Sequence, residues 1–110
     1  MLASTSVLEF AAIYAADLCN ARMVMLPQGA SGTVDPVRVI AGPSTGLHRP
    51  FDVAIFGNEL YVLDVKLPDS SIPVFTYFVL VYPLDADGDV APRRVITGTA
   101  LVAPLGLVVF

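Results

Sequence analysis

A heptapeptide that occurs twice limits this chain more than any other feature. Pro36-Val-Arg-Val-Ile-Ala-Gly42 returns as Pro92-Arg-Arg-Val-Ile-Thr-Gly98, with five of seven positions identical at a spacing of 56 residues. Upstream, Leu26-Pro27 followed by Gly32 corresponds at the same spacing to Tyr82-Pro83 followed by Gly88. Ile13-Tyr-Ala-Ala-Asp17 matches Leu60-Tyr-Val-Leu-Asp64 at a spacing of 47, and Pro50 with Val53-Ala-Ile-Phe56 matches Pro104 with Leu107-Val-Val-Phe110 at 54. Self-similarity at such periods marks supersecondary units that bury their faces by stacking. The changes in spacing place about nine inserted residues between Asp64 and Tyr82 and a two-residue loss after Gly98. Insertions belong in loops, because lengthening a loop costs little entropy while a slip within a strand turns every side chain to the wrong face.

Within the repeat, apolar and β-branched stretches of about five residues alternate with Gly, Pro, Asn and Asp clusters, the punctuation of short antiparallel strands. Strands are predicted at Asp52 to Phe56 and Glu59 to Leu63, joined by a tight Gly57-Asn58 hairpin because both residues tolerate positive φ. Further strands are expected at Arg22 to Leu26 and Tyr77 to Tyr82, and at Val37 to Ala41 and Arg93 to Thr97. Ser6 to Ala16 is ambiguous: Ala-Ala-Ile-Tyr-Ala-Ala favours a helix on its own, whereas its counterpart, Asn58 to Leu63, reads as a strand. The repeat decides for strand. Val53-Ala-Ile-Phe and Phe78-Val-Leu-Val-Tyr are apolar on both faces, as in sheets covered on two sides. The fold class expected is therefore all-β: antiparallel four-stranded blades of a partial β-propeller, about two blades plus one extra strand. The chain divides as one repeat domain, 1–110, with 1–33 ending one blade, 34–89 forming a full repeat and 90–110 starting the next.

Composition narrows the partners. The chain is 55% hydrophobic and 15% charged, with a mean hydropathy of +0.73, apolar enough that much of its surface is expected to be buried against something. A net charge of −4 and the lack of a basic stripe argue against nucleic acid. Cys19 stands alone, which rules out an intrachain disulfide, and it reads as a small packing residue in a turn. The N-terminus lacks the charged start of a secretory signal. The longest apolar run, Ile72 to Leu84, is broken by Pro73 and Pro83 and is too short for a membrane-spanning helix.

Asp17-Leu-Cys-Asn20-Ala-Arg22-Met-Val-Met-Leu resembles the Asp-x-x-Asn-x-Arg-Ile turn and strand of NHL repeats. Gly32-Thr-Val-Asp-Pro-Val-Arg-Val-Ile-Ala-Gly-Pro-Ser-Thr-Gly-Leu-His-Arg-Pro50 resembles the bacterial variety of these repeats, in which Arg-x-Ile-x-Gly leads to Thr-Gly-Leu-x-x-Pro. The resemblance covers nearly the whole chain from Val7 onward. It implies a β-propeller, usually closed with about six blades, and an extracellular or cell-surface setting. Two departures are visible. After Asp64 the Asn and Arg of the turn give way to Val65-Lys-Leu-Pro-Asp-Ser-Ser-Ile-Pro73, and the last unit lacks Thr-Gly-Leu.

Candidate chemistry is sparse. Asp17 and Asp64 end corresponding strands and read as turn caps accepting backbone N–H groups rather than as ligands. Asp85-Ala-Asp87-Gly88-Asp89 has the alternating carboxylates of a calcium loop but no downstream acid between 90 and 98. It reads first as a solvated hairpin, and Asp85, Asp87 and Asp89 remain the only metal candidates, with calcium the only cofactor to consider. His48, the single histidine, reads as an exposed loop residue with no nucleophile motif to accompany it. Arg38 and Arg94 recur at equivalent places and are read as structural, the stem covering a neighbour and the head meeting an acid. No catalytic residue is assigned.

These readings point to a non-enzymatic interaction or structural module that completes its fold by association with other chains, as a homo-oligomer, or as part of a longer propeller. The alternative is a fragment of a lactonase-like propeller hydrolase with a metal-assisted site in its central channel, for which Glu9, Glu59, Asn20 and Asn58 are the scarce candidates.

Overall fold

The computed structural model describes residues 12–98 and 106–107. Two antiparallel sheets account for nearly all of the described regular structure. The first holds β1 (Ala12–Asp17), β2 (Arg22–Pro27) and β3 (Arg38–Ile40) in that order; the second holds β4 (Arg49–Phe56), β5 (Glu59–Lys66), β6 (Thr76–Pro83) and β7 (Arg94–Ile96). Each is a meander in which sequence neighbours pair, so only short connections are needed. The chain is all-β. Ala12 to Asp17 is a strand, as the repeat requires; the remainder of the ambiguous N-terminal segment, with Glu9, lies outside the described residues.

The repeat holds to the level of register. In the first sheet Ile13 faces Leu26, Tyr14 faces Met25 and Met23 faces Ile40. The equivalent residues of the second sheet, Leu60 and Tyr82, Tyr61 and Val81, Val79 and Ile96, face each other in the same way. Single hydrogen bonds recur too. Val37 N–H donates to the Met25 carbonyl at 2.8 Å and Arg93 N–H to that of Val81 at 2.7 Å; Ala30 donates to Pro27 at 2.9 Å and Ala86 to Pro83 at 3.0 Å. β1, β2 and β3 are thus the counterparts of β5, β6 and β7.

Differences from the predicted spans have local causes. β3 stops at Ile40, as β7 stops at the equivalent Ile96, and Ala41 N–H donates to the Gly88 carbonyl at 3.2 Å. β4 begins early, at Arg49, and absorbs Pro50 at a bulge between Pro50 and Asp52, a place where a missing N–H is tolerated. The β4–β5 turn is Gly57-Asn58 as expected, but only Gly57 takes a positive φ, +61°, which fits a turn that needs glycine at its first central position.

The sheets stack face to face. Met23, Met25 and Ile40 from the first interlock with Leu60, Val62, Leu80 and Tyr82 from the second, all essentially inaccessible to solvent. Fully burying an aliphatic side chain contributes about 1.5–3 kcal/mol, so this layer dominates the cohesion of the pair. The opposite face of the second sheet carries Leu63, Val79 and Val81, against which Leu107 packs. Leu107 and Gly106 are the described part of the expected extra strand.

Candidate functional site

The densest polar structure lies where the two sheets are joined, in the segment from Ala41 to His48. Thr45 and Asp64 are the buried polar side chains of the described residues, both fully inaccessible. Thr45 Oγ1 donates to the Gly42 carbonyl at 2.8 Å and accepts Leu47 N–H at 3.2 Å, tying the segment into a turn. From β6, the Tyr82 hydroxyl donates to the Thr45 carbonyl, and burial raises the phenol well above its ordinary value of 10.0. A buried Tyr needs such a partner. In the first unit Leu26 stands at the equivalent place.

Asp64 completes the anchor. One carboxylate oxygen accepts His48 N–H at 2.9 Å and the other lies 2.9 Å from His48 Nδ1. The His48 ring stacks on Phe78, centroids 5.7 Å apart, and Phe78 is the residue opposite Asp64 in the sheet. Burial raises the Asp64 carboxyl above 3.8, and the hydrogen bonds from His48 only partly oppose that. His48 is therefore less a free loop histidine than half of a hydrogen-bonded couple, with 38% of its side chain exposed. An acid that orients a histidine is one component of nucleophilic catalysis, but among the described residues no Ser, Thr or Cys side chain hydrogen-bonds to His48. The bonds to backbone and ring make it a clasp on the joining segment.

The acidic loop forms a second link between the sheets. Asp87 Oδ1 accepts Val39 N–H at 3.0 Å and Asp89 Oδ1 accepts Ser44 N–H at 2.8 Å. Between them, Gly88 N–H donates to the Val39 carbonyl at 2.6 Å, and a parallel bridge pairs Gly88 with Ile40. Gly42 makes room: a Cβ there would stand 2.4 Å from Asp89 Cγ. Asp85 instead lines an open cleft of about 470 Å3 with Gly57, Asn58, Leu84 and Arg93. The loop read first as a solvated hairpin is thus bonded to the neighbouring sheet, and its three metal candidates are divided between a latch and a cleft wall. Among the described residues no group of three or more His, Cys, Asp or Glu side chains is arranged to hold a metal.

The remaining predicted residues serve locally. Asp17 accepts Asn20 Nδ2 at 2.9 Å and Arg22 Nε at 2.7 Å, and these bonds hold its carboxyl below the ordinary value. It caps its turn through side chains, where Asp64 instead reaches the joining segment. Cys19 lies in the 3-10 turn Leu18–Asn20, exposed rather than packed. Arg94 Nη2 contacts Glu59 at 3.0 Å and the Tyr61 hydroxyl at 3.1 Å; its counterpart Arg38 Nη2 contacts the Tyr14 hydroxyl at 3.2 Å. The repeat therefore extends to a side-chain hydrogen bond between arginine and tyrosine. Asn20 is engaged at the β1–β2 turn, whereas Asn58 and Glu59 stand at the β4–β5 turn, the opposite end of the unit.

No protein-family model matches the sequence, and neither the curated proteins nor the solved structures contain a match. No described helix is long and apolar enough to cross a membrane.

Proposed function

We propose that this chain is a non-enzymatic interaction or structural module made of propeller-type blades, and that its fold is completed by association with further units. The observation that supports this most is the register-for-register repeat of β1–β3 in β5–β7, with the two sheets stacked face to face. Units that bury a face only against a neighbour need about three or more copies to be self-sufficient, and this chain has two. The polar groups agree with a structural role: Thr45, Asp64, Tyr82, Asp87 and Asp89 bond to one another's segments and to backbone. The test is the mass in solution by light scattering and sedimentation across a concentration series. Association into oligomers is expected; a well-folded single chain at every concentration overturns the reading.

A further inference from the structure

Two equivalent isoleucines differ in one respect. Ile40 on β3 is fully buried, and Ile96 on β7 is 44% exposed. Both hold the same register within their sheets, so the difference lies in the neighbouring unit. Ile40 lies beneath the Asp87-Gly88-Asp89 loop of the second unit, which pairs with the outer edge of β3.

On β7 the described part of the receiving half, Val95 to Gly98, has the same form as Val39 to Gly42. Gly42, which admits Asp89, has φ +130°, and Gly98, its counterpart, has φ +144°. A Cβ on Gly42 would strike Asp89, whereas a Cβ on Gly98 would meet no described residue within 4 Å. Val95 occupies the place of Val39, whose N–H and carbonyl face outward to the loop, and Val95 is 52% exposed. The inserting half is also present. Ser31-Gly32-Thr33 of the first unit is the counterpart of Asp87-Gly88-Asp89; Gly32 has φ +71° where Gly88 has +83°, and all three residues are exposed. The Ser31 hydroxyl oxygen can accept the Val95 N–H as the Asp87 carboxylate accepts that of Val39 within the chain.

We propose that a second copy of this chain docks its first sheet beside the second sheet of the first copy, inserting its Ser31-Gly32-Thr33 loop along β7 at Gly98. The contact repeats between chains the junction that exists within one chain, so it is head-to-tail and propagates until the rotation closes a ring. Exposed Ile13, on the first sheet's outward face, sits at the place of Leu60, which inside the chain is buried against the neighbouring sheet. This inference rests on the reading of the chain as a module completed by association, and it specifies the surface.

The test uses the full chain in a Cys19→Ser background. Chains carrying only Ser31→Cys are mixed with chains carrying only Val95→Cys and treated with a short bis-maleimide. A covalent dimer is expected in the mixture and not from either chain alone. Val95→Pro removes the outward N–H without touching the bonds to β6 and is expected to reduce the assembly to single chains. Ser31→Asp with Thr33→Asp, which restores the carboxylates of the internal latch, is expected to tighten association by about tenfold or more, and it decides the matter if the proline variant fails to fold. An assembled protein that gives no cross-link in the mixture and is unaffected by the aspartates overturns this interface while leaving association standing. A folded monomer overturns both.

Discussion

His48 and Asp64 meet through two hydrogen bonds, one from the backbone N–H and one involving ring Nδ1, each 2.9 Å long. The couple fixes the end of the segment that leaves the first sheet to the start of the second, beside the bulge of β4. Because Asp64 is fully buried, it has the desolvation cost of a charge, which a partly exposed histidine and the backbone N–H groups of His48 and Arg49 only partly offset.

That imbalance gives a pH signature. Burial raises the Asp64 carboxyl above its ordinary value of 3.8 in the folded chain. A carboxyl raised on folding contributes stability that is full below the unfolded value and is lost as pH rises through the folded one. Asp64→Asn removes this titration and keeps an acceptor for His48 N–H. The difference in unfolding free energy between wild type and Asp64→Asn should therefore shift in favour of the variant as pH climbs from about 4. Asp64→Ala, which takes the carboxylate away from the part-buried His48 N–H, should cost about 1–3 kcal/mol instead. Denaturant melts of the three proteins across the acid range check the ordering.

Tyr82 offers a cleaner deletion. Its hydroxyl reaches the Thr45 carbonyl from a fully buried ring. Tyr82→Phe keeps the packing and loses the bond, so a destabilisation of about 1–3 kcal/mol is expected from the stranded carbonyl. Tyr82→Leu copies the residue of the first unit, Leu26, but leaves a cavity and should cost about 2–5 kcal/mol. A Tyr82→Phe variant as stable as the wild type would show that the Thr45 contact contributes nothing.

Gly42 and Asp89 form a coupled pair. Gly42→Ala suffers twice: its φ of +130° is unfavourable for a side chain, and the new Cβ would lie 2.4 Å from Asp89 Cγ. The backbone part is about 1–3 kcal/mol, and displacing Asp89 also sacrifices its bond from Ser44 N–H. In an Asp89→Gly background the second cost disappears, so the two substitutions should be non-additive by about 1 kcal/mol. A double-mutant cycle on unfolding free energies measures this directly. The same geometry predicts that calcium or a chelator leaves the melting temperature unchanged, because Asp87 and Asp89 already accept backbone N–H groups on the neighbouring sheet.

The architecture was readable because the repeat and the Gly57-Asn58 turn fix strand positions without any knowledge of packing. The pairing of Asp64 with the chain just after His48 was readable in principle as well. Continuing the hairpin register back from Phe56 and Glu59 brings Phe51 opposite Asp64, and the bulge between Pro50 and Asp52 moves the true partner to Pro50. Long-range bonds were not legible. Nothing in Asp-Ala-Asp-Gly-Asp tells a cation loop from a latch, since the same alternating carboxylates accept backbone N–H groups equally well. The use of those acids depends on how two sheets stack, which no local pattern records.

The insertion after Asp64 is where the described strands of the two units differ in length, and it supplies the last prediction. β1 and β2 are joined through the 3-10 turn Leu18–Asn20 and Ala21, whose φ is +53°. β5 and β6 instead run on for two more pairs, Val65 with Tyr77 and Lys66 with Thr76. Their loop is closed by Asp69, which accepts Ser71 N–H at 2.8 Å and Ile72 N–H at 2.7 Å. It carries Leu67, Ile72, Val74 and Phe75, each between 43% and 60% exposed. None of these residues belongs to the described core clusters, and the register from Glu59 to Asp64 matches the first unit without them. Replacing residues 65–77 by Leu-Ser-Asn-Gly, a four-residue turn of the length used in the first unit, should therefore preserve the far-ultraviolet β signature. The unfolding free energy should change by no more than about 1 kcal/mol, as the cost of loop length is small and Gly suits the left-handed position. Solubility should rise with the loss of exposed apolar surface. Loss of the fold on shortening would show that the inserted hairpin is part of the structural core rather than an appendage to it.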